Sequence, residues 1–375
     1  MSEWRLKVHR IHRMVVKEIR QLFRDPKTKR IIFAAPVVQF ILLGYAVNTD
    51  VRNVPTAVVD HDGTVASREF LAAFTGSGYF NVVSTSDRSA DLGIALDEGR
   101  AVVALEIPAG YQADLLAGRS PVVQLLADGT NSNTATIAQG YAAKIVQELG
   151  LRIASEARGG LTLPVDVRTR AWFNPALESQ VYNVPAVIGV IVLLMCLLLT
   201  SMAIVREREV GTLEQLLVSP LSAGELILGK TIPVAGIAML QLGIVTAVAL
   251  VWFDIPLRGS AFVLIFAAAL FILAGLSVGL FISTISSTQQ EAFLTMYLFL
   301  LPAIILSGFF YPIETMPPGF RELTVINPLR HFLEIVRAVF LKGASIGDLW
   351  TQFVTLAVMA VAGLVLATSR FKRTL

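Results

Sequence analysis

Six long apolar runs constrain this chain more than any other feature of its sequence. None of them contains Asp, Glu, Lys or Arg, and each is close to the ~20 residues that a helix needs to cross a bilayer. We therefore expect a polytopic α-helical membrane protein with six transmembrane helices. The runs are Ile31–Val47, Val184–Val205, Ile232–Phe253, Ala261–Ile285, Phe293–Phe310 and Leu349–Thr368.

The composition agrees with a membrane protein. Hydrophobic residues make up 54% of the 375 residues and charged residues 16%, against about a quarter in soluble domains. Cys196 is the only cysteine and lies within an apolar run, so an internal disulfide is excluded and a packing role is expected. We therefore expect the chain to be embedded in a lipid bilayer, and we expect no nucleic-acid partner.

Basic residues at the two ends predict the orientation. Residues 1–30 hold ten Lys or Arg, and the tail carries Arg370, Lys372 and Arg373 without an acid. Since basic flanks stay on the cytoplasmic side, both termini are expected there, which agrees with an even number of spans. The loop between runs five and six is also basic, yet this topology places it outside.

Residues 48–183 between the first two runs have a different character, because strand-like and helix-like segments alternate. This pattern predicts an α/β domain inserted outside the membrane. Strands are expected at Val54–Val59, Tyr79–Ser84, Ala101–Ile107, Val122–Ala127 and Val165–Trp172, and helices at Ala66–Phe74, Ala90–Leu96 and Ala135–Ala157.

Residues 1–30 are expected to hold an amphipathic helix over 4–24. An apolar stripe at 100° per residue lies opposite a basic stripe, which favours a position in the membrane interface. The apolar stripe is Val8, Ile11, Val15, Ile19 and Leu22, and the basic stripe is Arg10, Arg13, Lys17, Arg20 and Arg24.

Two segments match enzyme motifs, and we interpret neither as a catalytic site. Gly224–Thr231 fits a phosphate-binding loop, but its inner residues favour a helix and no strand precedes it. Asp60–Thr64 matches an aspartate-nucleophile pattern, but Asp and Gly after a strand are ordinary turn formers. We therefore expect no catalytic residue, cofactor or metal, with Lys230 only marking the end of a span.

Two further segments look mechanical rather than catalytic. The segment 207–220 continues the second span as a charged extension, breaks at Gly211, and becomes a short apolar-faced helix that Pro220 ends. Over 327–342, Asn327 and Pro328 begin a helix that Gly343 ends. This helix is too short and too charged to span, so it is expected at the outer interface or folded back into it.

These residues together resemble the type-2 ABC transporter permeases, in the multidrug-export subgroup with a large extracytoplasmic domain. The resemblance covers nearly the whole chain. The matching motifs are Lys17–Leu22 with Arg24–Pro26, Val59–Asp60, Asp128–Gly129 with Asn131, Arg206–Glu209 through Gly211–Leu216, Leu306–Phe309, Pro312–Glu314 with Met316–Pro317, and Ile326–Leu329.

The resemblance implies a permease subunit of an ATP-driven exporter in a bacterial inner membrane. Residues 1–30 would be the connecting helix, 207–220 the coupling helix on a separate ABC ATPase subunit, and 327–342 a re-entrant element beside the exit. A second permease, identical or a sister chain, and a periplasmic adaptor are the other implied partners. The implied coupling residues are Glu207, Glu209, Gly211, Thr212, Glu214, Gln215, Leu216, Leu217 and Pro220. The implied outer residues are Pro312, Glu314, Asn327, Pro328, Arg330 and Glu334.

Other functions stay open at this point. A membrane-anchored receptor or sensor would use the α/β domain for a ligand, although the cytoplasmic ends are too short for a signalling module. A membrane-embedded enzyme would need facing polar residues in the spans, and an ion-coupled transporter would need ionisable ones. Within the permease reading, drugs, lipids and polymer precursors are all possible substrates.

Overall fold

The computed structural model describes residues 3–24, 26–48, 50–157, 172–175, 178–211 and 222–374. The chain divides into a helical unit, Met1–Thr49 with Ala171–Leu375, and an α/β unit, Asp50–Arg170. The helical unit contains α1 (Glu3–Arg24), α2 (Pro26–Ala46), α7 (Ser179–Val210), α8 (Ala223–Val251), α9 (Ala261–Ile285), α10 (Gln289–Ile305), α11 (Pro318–Leu323), α12 (Pro328–Arg337) and α13 (Trp350–Thr374).

Four of these helices are long and apolar enough to cross a membrane. They are Ser179–Val210, Gly224–Val251, Ala261–Ile285 and Trp350–Arg370, and two shorter apolar helices are Ile32–Ala46 and Gln289–Ile305. The α9 bounds equal the predicted run. The fifth run was predicted to reach Phe310, but its helix ends at Ile305, because Gly308 turns the chain with a φ of +79°.

The two shorter apolar helices pack against longer ones. Beyond the last residue of α2, the carbonyl of Val47 accepts a bond from the Asn183 side chain at the start of α7. Near the same end, Tyr45 accepts a 3.1 Å bond from Trp252 just past α8. The helix α10 begins beside the last turn of α7, where the Gln289 amide donates to Glu209.

The apolar core of the helical unit is built around α7, and α12 is buried within it. The ring of Phe332 stacks on Phe271 of α9 with centroids 4.2 Å apart. A side chain at Gly189 of α7 would lie 2.8 Å from Leu333, so the two helices approach closely there. The helix that was predicted over 327–342 is therefore buried within the helical unit and does not lie flat on its surface.

A π-helical turn, Ala338–Lys342, continues α12, and Gly343 ends it with a φ of +69°. The loop before α9 binds the carbonyls of this turn. Gly259 N–H donates to Val339 at 2.9 Å, Arg258 N–H donates to Phe340 at 3.1 Å, and the Arg258 guanidinium donates to Leu341 at 3.2 Å. The carbonyl groups of Val339, Phe340 and Leu341 in the π-turn therefore accept hydrogen bonds from the loop before α9.

The α/β unit is a four-stranded sheet with helices on both faces. Its strands β1 (Val54–Asp60), β2 (Phe80–Ser86), β3 (Val103–Ile107) and β4 (Gln124–Ala127) lie in the order β2-β1-β3-β4, with only β4 antiparallel. The helices are α3 (Val65–Gly76), α4 (Ala90–Asp97), α5 (Tyr111–Leu116) and α6 (Ser132–Ala157).

Each face of this sheet has its own apolar core. Phe70, Phe74 and Ala138 pack on one face with α3 and α6, whereas Leu92 and Ala95 of α4 pack on the other. The alternating segments were predicted to within a few residues, but α5 was not predicted. The predicted strand at Val165–Trp172 falls almost entirely outside the described residues.

Candidate coupling site at one end of the helical unit

One end of the helical unit, here called the α1 end, gathers segments from five helices. An apolar cluster joins α1 to the last turns of α7, α9 and α13 and the first turns of α8. Its members are Met14, Ile204, Leu226, Ile227, Leu280 and Ala367. The segment 207–211, which leads into the predicted coupling helix, lies at this end.

The helix α1 packs on the protein through a stripe beside the predicted apolar one. Met14 is buried against Gly229 of α8, whereas Val8 and Ile19 of the predicted apolar stripe are 45% and 40% exposed. Arg10, a member of the predicted basic stripe, lies 3.8 Å from Glu225 of α8. The helix therefore has one face on the protein and leaves parts of its apolar stripe free for lipid.

A buried ion-pair triad holds three helices together at the α1 end. Lys230 of α8 is 4% exposed and its ammonium lies 3.2 Å from Glu18 of α1 and 3.0 Å from Glu207 of α7. The two carboxylates are 15% and 13% exposed. Removing one member of such a buried set leaves a charge without compensation, so the three helices are electrostatically dependent on one another.

The last turn of α7 is also fixed to the α9–α10 junction. Arg208 donates to the Ser286 carbonyl at 2.9 Å, and Glu209 accepts from the backbone of Gln289 at 2.7 Å and from its side-chain amide. Gly211 then ends α7 with a φ of +77°, a conformation that favours glycine. The predicted coupling segment thus begins from an anchored helix end.

The first turn of α8 explains the false phosphate-loop match. Ser222 and Glu225 form a reciprocal capping box, with the Ser222 amide 2.7 Å from the Glu225 carboxylate. Both Gly224 and Gly229 are within the helix, so no loop is present to wrap a phosphate. Lys230 faces Glu18 and Glu207 and is more than a marker of the span end.

Of the predicted coupling residues, the structure describes Glu207, Glu209 and Gly211, and it brings the first two into this network. The others, Thr212, Glu214, Gln215, Leu216, Leu217 and Pro220, lie outside the described residues. Glu18 and Gln289 were missed as site residues. The sequence signal for Glu18 is its place in the Lys17–Leu22 motif, and the signal for Gln289 is a polar residue just before an apolar run.

The predicted outer residues lie around α12. Asn327 caps this helix, accepting from the Leu329 amide at 3.0 Å and donating to Ala303 of α10 at 2.7 Å. Pro328 occupies its first turn. Pro312 and Glu314 belong to a separate 3₁₀ turn, Ile313–Thr315, which has no buried residue.

The charged residues of α12 join it to two other helices. Arg330 contacts Glu334 at 3.4 Å, and Glu334 accepts a 3.0 Å bond from Gln352 of α13. Arg337 donates to the Gly308 carbonyl at 3.0 Å and stacks its guanidinium 3.9 Å above the Tyr182 ring at the start of α7.

The second enzyme-like motif forms a turn in the α/β unit. Asp60 accepts bonds from the amides of Asp62 and Gly63, and Thr64 caps α3. The Thr64 hydroxyl and backbone amides bind the Asp62 carboxylate and hold its pKa below the ordinary value. Both carboxylates are used by the turn, as expected from its Asp and Gly residues.

Nearby, Ser89 and His61 bind one oxygen of Glu106, at 2.5 Å and 3.1 Å, and these contacts lower the pKa of that carboxyl. The same His61 nitrogen also lies 3.1 Å from the Ser89 hydroxyl, so one nitrogen serves both partners and the three residues make no nucleophile–base–orienter relay. In the described ranges, no group of three or more His, Cys, Asp or Glu residues is arranged to hold a metal.

Comparison with known proteins decides the family. The profile described as "ABC-2 family transporter protein" matches residues 30–368. This chain belongs to the ABC-2 transporter family. It is 34% identical to the "Probable multidrug ABC transporter permease YbhR" of Escherichia coli strain K12, over 97% of this chain and 99% of that protein.

Two further relatives from the same strain match nearly full length. The "Probable multidrug ABC transporter permease YbhS" is 33% identical over 92% of this chain and 91% of its own, and the "Inner membrane transport permease YhhJ" is 30% identical over 97% of both. This ABC-2 protein is accordingly a membrane-embedded transport subunit and not an enzyme itself, and permeases of its family work with an ATPase subunit.

Proposed function

We propose that this ABC-2 permease exports hydrophobic or amphiphilic molecules, such as drugs, with energy from a separate ATPase that docks on the segment 207–220. The observation that carries the proposal is the network at the α1 end. Glu207 contacts Lys230 of α8, which also contacts Glu18 of α1, and Glu209 contacts Gln289 of α10, so a displacement of the end of α7 would act on three other helices.

The proposal includes six spans, with α2 and α10 crossing beside their longer neighbours. Contacts at both ends of α8 support this, since Lys230 meets Glu18 of α1, just before α2, at one end and Trp252 meets Tyr45 of α2 at the other. The 22 residues from Lys230 to Trp252 correspond to about 33 Å of helix, enough to cross the hydrocarbon core. Both termini are then cytoplasmic and the α/β unit is extracytoplasmic.

Single-cysteine labelling in intact cells tests this topology. With Cys196 replaced by alanine, cysteines at Ser120 and Glu322 are expected to react with an impermeant thiol reagent, whereas one at Ser2 is expected to react only after lysis. If α2 does not cross, positions 2 and 120 lie on the same side and react alike. That outcome would reject the six-span arrangement.

A double substitution tests the coupling role. Glu214→Lys with Leu217→Ala is expected to reduce ATPase co-purification and export strongly, because a charge-assisted contact is worth about 1.5–3 kcal/mol and a buried apolar anchor about 2 kcal/mol or more. Glu322→Lys with Leu323→Ala, on exposed side chains of α11, is the matched control. Normal ATPase binding by the first variant, at normal expression, would contradict the proposal.

The direction of transport is tested with inverted membrane vesicles that contain the permease and its ATPase. ATP should drive accumulation of a fluorescent amphiphile inside these vesicles, and a non-hydrolysable ATP analogue should not. The homodimer or sister-chain pairing, and an adaptor protein, belong to the same proposal, and they are read from the composition of the purified complex.

A further inference from the structure

A cavity of about 290 Å³ opens at the α1 end between α1, α2, α7, α8 and α10. Its wall has two parts of opposite character. Met195, Leu198 and Met202 from α7 make an apolar side, whereas Glu18, Glu207 and Lys230 make a charged side. Mostly apolar walls with a few convergent polar groups are typical of small-molecule sites.

We propose that this cavity binds the transported molecule as a cationic amphiphile, with its apolar part against α7 and its positive group beside Glu18. The inference rests on the proposed export function and adds to it the place and the charge class of the substrate. It uses a cavity within one chain and needs no second permease to complete it.

The charge preference follows from how Lys230 is shared. One ammonium serves two carboxylates, with its nitrogen 3.0 Å from Glu207 and 3.2 Å from Glu18. Glu18 therefore receives only part of one compensating charge while 85% of its side-chain surface is removed from water, because its exposure is 15%. A partly compensated carboxylate with little solvent attracts a cation and repels an anion.

The fourth charged residue of the cavity wall does not reverse this preference. Arg206 also lines the cavity, but it is an exposed residue, so water and salt screen its charge more than the buried charges of the triad. The apolar side supplies affinity for any hydrophobic molecule. The carboxylate of Glu18 supplies the discrimination between molecules of equal shape and opposite charge.

The position of the cavity also links occupancy to coupling. A cation beside Glu18 competes with Lys230 for that carboxylate and leaves Lys230 more fully on Glu207, four residues before Gly211. A bound substrate would thus change the ion pair that anchors the segment proposed to meet the ATPase. Substrate binding and the contact with the ATPase would then both act on the ion-pair triad of Glu18, Glu207 and Lys230.

Two ions of nearly identical shape, tetraphenylphosphonium and tetraphenylborate, give the sharpest test. The full-length permease in nanodiscs is titrated with each, and binding to empty nanodiscs is subtracted. We expect saturable binding of the phosphonium and at least tenfold weaker protein-dependent binding of the borate. Equal affinities would overturn the charge preference.

Four variants locate the site. Glu18→Gln keeps an acceptor for Lys230 but removes the charge, and should weaken phosphonium binding about tenfold or more, the effect of a lost charge-assisted contact. Glu18→Asp should keep most of the preference. Met202→Trp should fill the cavity and abolish binding, while Glu322→Gln, the same charge change on exposed α11, should leave it unchanged.

Unchanged phosphonium binding by both Glu18→Gln and Met202→Trp, each shown to be folded by its elution profile, would overturn the assignment. Failure of this inference is separable from failure of the export proposal. Absent phosphonium binding with normal ATP-driven export would reject only the cavity. Normal phosphonium binding with no ATP-driven transport would reject only the exporter function.

Discussion

The two ends of the helical unit differ in the balance of charged and apolar contacts between their helices. At the α1 end, four helices meet through charged side chains, with Lys230 between Glu18 and Glu207 and with Glu209 on the first turn of α10. At the other end, α12 is enclosed by apolar contacts, and the side chains of Leu329, Phe332, Leu333, Val336 and Phe340 are fully buried.

This difference indicates which end of the helical unit can change its contacts during a transport cycle. Close-packed apolar surfaces fit in one arrangement, and a small displacement opens a void or a clash. Ion pairs act over a longer distance and with less directional demand, so long side chains can follow a moving partner without losing all of their energy. The α1 end therefore suits a contact that shifts during a transport cycle, and the α12 end suits a fixed reference.

The largest expected effect is on the packed end. Phe332→Ala should reduce the free energy of unfolding by about 3–5 kcal/mol, because it leaves a cavity against α9 and removes the stacking with Phe271. Thermal unfolding of the purified protein measures the loss, and Phe310→Ala, at a position 58% exposed, is the control. Equal unfolding temperatures for the two variants would show that α12 is not packed as described.

A smaller effect is expected at the charged end. Lys230→Met should cost about 3 kcal/mol, because two largely buried carboxylates lose their common cation. Adding Glu18→Gln and Glu207→Gln should restore most of the stability, since no charge is then left without compensation. An unchanged unfolding temperature for the single variant would contradict a stabilising role for the charged triad. A triple variant no more stable than the single one would contradict the explanation by uncompensated charge.

The smallest effect concerns a carboxylate held by hydrogen bonds in the α/β unit. The Ser89 hydroxyl and then His61 lower the pKa of Glu106, so its contribution to stability is present above the unfolded-state pKa of about 4.3 and is lost as the pH falls through the lower folded value. Measured by hydrogen exchange, the protection of β1 and β3 amides relative to the intrinsic exchange rate at each pH should fall by the equivalent of about 1 kcal/mol at acid pH. Glu106→Gln should remove this acid dependence, and an unaltered dependence would contradict the assignment.

Much of the fold could be predicted from periodicity and charge. Ala261–Ile285 was located at both ends because it is a continuous apolar run bounded by Ser260 and Ser286, and the β1 start at Val54 follows from its strand pattern. The end of α10 was placed five residues too late, because Leu306–Phe310 is apolar and only Gly308 signals the turn. Apolar composition does not reveal where a backbone changes direction.

The charged network was not predictable in the same way. Lys230 and Glu18 are 212 positions apart, and nothing in either local sequence identifies the other. The protein-facing side of α1 was not predictable for a related reason. It carries Arg10, Met14 and Glu18, and the partners of its two charged residues lie far away in sequence, on α8.

The π-turn after α12 has a mechanical consequence. Its carbonyls are bound by the backbone of Arg258 and Gly259, so α12, the turn and the α8–α9 loop are joined by hydrogen bonds that do not depend on side-chain rotamers. A displacement of α12 alone would break these bonds. The three segments therefore move together as one body. Any rearrangement of this end of the helical unit must bend the chain where these segments join their neighbours, at the start of α9 and in the residues before α13.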